Sequence, residues 1–415
     1  MRLLALGGAG AMGRVAARVA AALPGVHELV IADRDLDAAR RAAAALAVGA
    51  PVPVRASRVD VTDGPRLRAA LADADAVLNT VGPYYRYGLD VLRAAIRTGT
   101  HYLDICDDWE PTVAMLELDE EARAAGVRAV LGMGASPGVS NLLAARAAAR
   151  LDTLTDVYTA WPVDVGDQPG ASRPASSEPA PSSADSSPTD SPPADTSPRD
   201  ANGEISAAAV HWMQQISGTV AAVEGGRLVR RPPLRPVTLD LPGGHRGTAY
   251  TVGHPEPVTL HRSLRPGGDA ANLMVVTVGT AAYLDVLRDD LDAGRLTNET
   301  AAADLDRPTV RRTLRAAVRA PRLRGPGTLP PFFAAATGTR DGRPAVALAR
   351  LTGAERFLAD MAEATGVPAG LGLAQLLDGT VRPAGVHPPE AVIDADRFFA
   401  DLARQCPGVA VVEDL

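Results

Sequence analysis

Lysine is absent from this chain: all 42 basic residues are arginine. That absence excludes Walker-type phosphate binding, Schiff-base catalysis and the Tyr-x-x-x-Lys dehydrogenase arrangement, each of which needs an ε-amino group. Cysteine is nearly absent, with only Cys106 and Cys406, which excludes a disulfide framework and a multi-cysteine metal centre. Aromatic residues make up 4% of the chain, so its core must be built from Ala, Leu and Val. No window approaches the roughly 18 uninterrupted apolar residues of a membrane span. The opening run Leu3-Leu4-Ala5-Leu6 stops at Gly7-Gly8. It is too short for a signal peptide and reads as a buried strand, so a cytoplasmic location is expected. A net charge of −7 argues against nucleic acid or an anionic membrane as partner.

What is present is length and apolar content. At roughly 150 residues per domain, 415 residues predict two or three domains, and 46% hydrophobic residues supply their cores. Residues 166–203 hold no Val, Ile, Leu or aromatic residue and carry six acids against two bases. This Ser/Pro-rich insertion has nothing to bury against its ordering entropy and is expected to be disordered. It reads as a tolerated loop or as an interaction tether.

Before the insertion, short apolar strands alternate with helical stretches, which predicts a doubly wound parallel sheet. The predicted strands are Leu3–Leu6, Leu29–Ala32, Ala56–Val59, Ala76–Asn79, His101–Ile105 and Arg128–Gly132. After it, Thr219–Leu228, Val237–Leu241, Gly247–Val252 and Val258–Leu260 read as strands. A hairpin is expected at Thr339–Gly342, with helices at Ala281–Ala293, Thr309–Val318, Glu355–Ala364 and Ala395–Ala403. The fold class is therefore α/β, a Rossmann-type sheet followed by an α+β domain with a mixed or antiparallel sheet. The expected boundaries are 1–135 for the nucleotide domain, 136–393 for a substrate and dimerisation domain, and 394–415 for a terminal helix and tail.

The first strand runs into Gly8-x-Gly10-x-x-Gly13, which opens a helix, and Asp33 closes the second strand twenty positions later. This is the dinucleotide fingerprint. Gly8 is assigned the tight turn, Gly10 the close approach of the pyrophosphate, and Gly13 close helix–strand packing. The N–H groups from Ala11 and Met12 onward face the anion. Asp33 would hold the adenosine ribose, a slight lean to NAD, while Arg34 beside it could take the 2′-phosphate of NADP. Asp60 and Val61 would flank the adenine, with Asn79, Thr80 and Val81 running beside the pyrophosphate and nicotinamide ribose.

Other strand ends add polar groups to the same crevice. Asp104 and Tyr84 are candidate proton donors. Asp107 could hold a substrate ammonium or, like Asp108, cap the next helix. Cys106 reads as a small buried residue more readily than as a nucleophile. Ser136, Gly138 and Asn141 form a turn that could receive a substrate carboxylate, and His254 is either a substrate contact or structural. His211, His254 and Glu256 match no zinc spacing, so no metal is expected. Arg246, Arg262 and Arg265 are candidates for carboxylate recognition.

The stretches Gly7–Arg14, Leu78–Asp108 (LNTVGPYYRYGLDVLRAAIRTGTHYLDICDD), Gly132–Leu143 (GMGASPGVSNLL) and the tail from Thr365-Gly366-Val367-Pro368 to Gly385–Glu390 resemble the saccharopine dehydrogenase-like family. That family includes carboxynorspermidine dehydrogenase. The resemblance implies NAD(P)-dependent hydride transfer at an imine or secondary-amine carbon of an amino-acid or polyamine-like substrate, in a homodimer. It also implies that the helix around Asp394–Leu402 packs back on the nucleotide domain. Members with an acid–base lysine have no counterpart residue here. A reading from another class is a dinucleotide-binding sensor or assembly subunit without turnover.

Overall fold

The computed structural model describes residues 1–164 and 207–415; the 166–203 tract lies outside them. The nucleotide half runs β1 (Arg2–Leu6), α1 (Ala11–Ala21), β2 (Glu28–Asp33), α2 (Leu36–Ala47), β3 (Val54–Arg58), α3 (Gly64–Ala72) and β4 (Ala76–Asn79). It continues through α4 (Tyr84–Thr98), β5 (His101–Asp104), α5 (Trp109–Leu116), α6 (Asp119–Ala124) and β6 (Arg128–Val130). Helix α7 (Val139–Ala148) and strand β7 (Thr153–Pro162) lead into the second half. There α8 (Ala207–Gln215), β8 (Val220–Glu224), β9 (Arg227–Arg231), β10 (Pro236–Leu241), β11 (His245–Thr251), α9 (Glu256–Ser263) and β12 (Ala270–Val275) follow. Next come α10 (Val278–Asp292), α11 (Asn298–Asp306), α12 (Val310–Arg319), β13 (Phe333–Arg340) and β14 (Arg343–Thr352). The chain closes with α13 (Glu355–Ala359), α14 (Met361–Leu377), β15 (Gly385–His387), α15 (Pro389–Val392), α16 (Ala395–Gln405) and β16 (Ala410–Asp414).

Seven strands form one parallel sheet in the order β15-β6-β5-β4-β1-β2-β3. The first six strands follow the doubly wound order, and helices cover both faces. The central strands are apolar on both faces, as a covered parallel sheet requires: Leu3, Leu4, Ala5 and Leu6 are all buried. The second sheet is mixed, with β7 parallel to β12 and antiparallel to β13, and β8 and β9 joined to it through β12.

Several expected elements fall differently. Val258–Leu260 lies in α9, because Pro255 and Pro257 set up a helix start where a strand would need their missing donors. Thr219–Leu228 is a hairpin bent at Gly225 and Gly226, both in the left-handed region. The Glu355–Ala364 stretch breaks at Asp360, whose carboxylate caps the new helix α14.

The larger correction concerns the domain boundary, because residues 361–387 return to the nucleotide half. Strand β15 extends the parallel sheet beyond β6. Helix α14 lies along α1 with glycine toward it: a Cβ on Gly366 would sit 2.6 Å from the Cβ of Val15, and one on Gly370 2.5 Å from that of Val19. Helix α16 packs on α14 and α7, while β16 pairs with β14 in the second sheet. The tail therefore ties the two halves together.

Gly370→Leu is expected to destabilise the protein by about 1–3 kcal/mol through overpacking, read as a lower urea midpoint. Gly49→Ala, where a Cβ meets nothing, should leave the midpoint unchanged.

Candidate active site in the crevice between the domains

The loop after β1 fits a pyrophosphate. Gly10 caps α1 without any side-chain hydrogen bond, and the N–H groups of Ala11, Met12 and Gly13 find no acceptor among the described residues. These free donors and the helix dipole form an anion cradle. The tight turn falls on Gly7 (φ +73°), one residue before the predicted Gly8. Gly13 is held as expected, since a Cβ there would meet the Gly7 carbonyl oxygen at 2.3 Å. Thr80 donates its hydroxyl to the Leu6 carbonyl and so abuts the same loop.

At the adenosine end, Asp33 pairs in register with Arg58, and its carboxylate accepts the Asp35 N–H. Asp60 is exposed and accepts from Thr62, whose hydroxyl and N–H hold its carboxyl below the usual range, with the charges of Arg34 and Arg58 adding to the effect. Val61 is half-buried beside it. The Asp33 carboxylate thus stands between two guanidinium-bearing positions, Arg34 and Arg58.

Asn79, Tyr84, Tyr102 and Asp104 form one buried network. The Asp104 carboxylate accepts the N–H groups of Gly132 (2.6 Å) and Cys106 (3.1 Å) and the Tyr102 hydroxyl (2.8 Å). Asn79 donates to the Tyr102 oxygen and accepts the Val81 N–H. Tyr84 donates to the Asn79 carbonyl and accepts the Ile105 N–H. Burial lifts Asp104 to about 6 and pushes the Tyr84 hydroxyl up. Both groups pin the strand ends that floor the crevice, and the Asp104 carboxylate is fully buried. Cys106 is buried, and burial pushes its thiol up, away from the reactive thiolate form.

The second domain completes the site from above. His211 in α8 places Nε2 3.4 Å from Asp107 Oδ2 and 3.3 Å from Asp108 Oδ1. Burial opposes its charge, but the Asp107 hydrogen bond and the two carboxylates outweigh it and raise His211 to about 9. Asp107 is lowered, since burial is outweighed by His211. Asp108 rises to about 6, through burial first and then repulsion by Asp107, although His211 pulls the other way. The donor atoms of Asp107, Asp108 and His211 all lie within 4.8 Å of one another, a set of metal-ligating types. The histidines weighed together in the sequence separate here, His211 facing Asp107 and His254 facing Glu256.

Glu256, fully buried, gathers the substrate-side turn. It accepts the Ser136 hydroxyl, the Ser140 hydroxyl (2.8 Å) and the Asn272 amide (2.8 Å). Its other oxygen lies 3.5 Å from His254 Nδ1, while the Trp161 ring lies 5.5 Å from the imidazole. Ser136 and Glu256 approach the same nitrogen of His254, and Ser136 donates directly to Glu256. That geometry is not a nucleophilic triad, which needs the serine and the acid on opposite nitrogens. Gly138 (φ +118°) starts α7, and a Cβ there would strike the Gly134 carbonyl oxygen at 2.1 Å. Asn141 accepts the Gly138 N–H and donates to Thr259 and Glu390.

Sequence reasoning brought Asp107, Ser136, Gly138, Asn141 and His254 to one region, and the structure places them there. It missed Gln215, whose amide donates to the Asp107 carbonyl at 3.3 Å, as well as Asn272 and Trp161. Asn272 carried a signal, a lone amide in the apolar run of β12; Trp161 and Gln215 carried none. Arg246 and Arg262 are paired elsewhere, with Asp240 and Asp119.

A doubly wound sheet with a free glycine cradle and a second domain closing over its strand ends has the architecture of the Rossmann class. Residues 3–130 match the model of the saccharopine dehydrogenase NADP binding domain. A trans-acting enoyl reductase of Mycobacterium leprae is 38% identical over 76 residues, 18% of each chain. The NADP(+), L-glutamate-forming saccharopine dehydrogenase of Saccharomyces cerevisiae is 33% identical over 123 residues, 30% of this chain and 25% of that one. The matches thus span a quarter or less of these two relatives. In structure, the apo form of the L-Glu-forming saccharopine dehydrogenase from Saccharomyces cerevisiae covers 100% of this chain and 99% of its own, with a TM-score of 0.62 and 16% identity. It therefore shares the two-domain fold. No helix among the described residues is long and apolar enough to cross a membrane.

Glu390 is raised to about 7 by burial, with the Ser263 and Asn141 hydrogen bonds working against the rise. An acid whose folded pKa is raised loses stability as pH rises from its unfolded value, roughly 4.3, to about 7. Glu390→Gln is expected to remove that loss. It should be more stable than the parent by about 1–3 kcal/mol at pH 8 and indistinguishable near pH 4, in urea denaturation at both values.

Proposed function

We propose that the protein is an NADP(H)-dependent oxidoreductase in which hydride reaches an electrophilic carbon held in the crevice and His211 handles the accompanying proton. The observation that carries this reading is the His211–Asp107–Asp108 cluster beside the free glycine cradle: a cation held at the strand ends where a nicotinamide lies in this fold. The dinucleotide, when bound, supplies the hydride. The chain's residues do the remainder. Asp107 and Asp108 keep His211 protonated, and His254, oriented by Glu256, lines the substrate side. Asp104 and Tyr84 act by fixing the crevice floor.

The electrophile we favour is a protonated imine of an amino-acid or amine adduct, for which one hydride goes to carbon and one proton to nitrogen. The enoyl reductase relative supports a conjugated C=C as the competing acceptor; it too takes one hydride and one proton. Arg34 and Arg58 beside Asp33 favour NADP(H) over NAD(H), because a 2′-phosphate can sit between two guanidinium groups.

By calorimetry, NADPH is expected to bind at least about tenfold more tightly than NADH, with Arg34→Ala abolishing the difference. Equal binding in the parent overturns the NADP reading. In NADPH-consumption assays with amine–carbonyl pairs and with enoyl thioesters, His211→Gln should lower kcat by about a hundredfold or more. His211 must be protonated to donate, so the reductive kcat should fall as pH rises through about 9. Asp107→Asn should move that limb to lower pH; an unmoved limb removes His211 as the donor.

A further inference from the structure

Helix α12 is mounted inside out. Its cations face the protein: Arg312 reaches Asp290 (2.8 Å) and Asp304 (2.5 Å), Arg315 reaches Asp290 (2.8 Å), and Arg319 reaches Asp285 (2.5 Å) and Asp289. Asp290 is 2% exposed, so these pairs fix which side of the helix turns inward. At about 100° per residue, the opposite face carries Val310, Leu314 and Val318. They are 77%, 64% and 67% exposed, an apolar ridge running the length of the helix.

The charge around the ridge has one sign. Residues 307–340 contain eight arginines and no acid, and Asp285, Asp289, Asp290 and Asp304 of α10 and α11 beneath are paired with the arginines of α12. Arg311 and Arg322 stand exposed beside the ridge, and neither makes an ion pair among the described residues. An occupant of this face must therefore offer both apolar surface and negative charge. A second copy of the chain would set arginine rim against arginine rim. Three side chains on a ten-residue helix also fall far short of the roughly 800 Å² per partner that a stable protein interface buries. A bilayer needs no shape match, and its anionic headgroups complement the rim.

We propose that α12 is a membrane-docking element that lies in the plane of an anionic phospholipid surface, with Val310, Leu314 and Val318 entering the headgroup boundary. The net charge of −7 speaks for the whole chain; this corner is cationic and apolar. The association is peripheral and independent of the redox chemistry.

The test is flotation of the full chain with vesicles of equal parts phosphatidylglycerol and phosphatidylcholine, against vesicles of phosphatidylcholine alone. The parent should co-float with the mixed vesicles and not with the neutral ones, and should be released by high salt. Val310→Ser/Leu314→Ser/Val318→Ser and, separately, Arg311→Glu should each cut the floated fraction at least about fivefold, with NADPH binding unchanged as proof of folding. A parent that stays at the bottom, or a triple variant that floats as well as the parent, overturns the proposal. So does a parent dimer that the triple variant converts to monomer, which would assign the ridge to a second copy.

Discussion

Glu256 is the charge around which the two domains are assembled. It is fully buried with no arginine paired to it among the described residues, so its desolvation is met by Ser136, Ser140 and Asn272 and by the approach of His254. Ser136 and Ser140 belong to the turn and helix that leave the parallel sheet, Asn272 to the second sheet, and His254 to the loop before α9. The substrate-side turn is held to the second domain by hydroxyls and amides converging on one carboxylate. A short distance away, Glu390 repeats the arrangement with Asn141 and Ser263.

Two polar clusters at the crevice differ in exposure. The network of Asn79, Tyr84, Tyr102 and Asp104 is buried and fixes the strand ends. The His211–Asp107–Asp108 cluster keeps a charge at the crevice and is partly open. His211 arrives on α8, from the far side of the long Ser/Pro-rich tract, while its carboxylate partners come from the loop after β5. The cluster is therefore made only when both domains are in place.

The sequence made the nucleotide half legible because its signals are local. A strand, a glycine turn and a helix cap lie within a dozen residues, and the apolar runs of β1, β2 and β4 permit no other period. Glycine roles slipped by one, from Gly8 to Gly7, because spacing marks the loop while only the backbone shows which residue turns. The second half was less legible for the opposite reason. Asp104 reads as a candidate proton donor in the sequence because it closes a strand at the crevice; that its buried carboxylate accepts from Gly132, Cys106 and Tyr102 is a tertiary fact. Val258–Leu260 read as a strand from its branched residues, and two prolines overruled that propensity. His211 carried the right chemistry without any local sign of its carboxylate partners.

The glycine face of α14 bears on how the molecule comes into being. The nucleotide fold begins at the first residue, yet the helix that covers α1 and the seventh strand of its sheet are made from residues 361–387. During synthesis the dinucleotide domain must wait, with the flank of α1 bare and one sheet edge open beyond β6, until most of the second domain has emerged. Vectorial folding in two successive units is closed to this chain, because both sheets take their last strand from the tail, β15 for the first and β16 for the second.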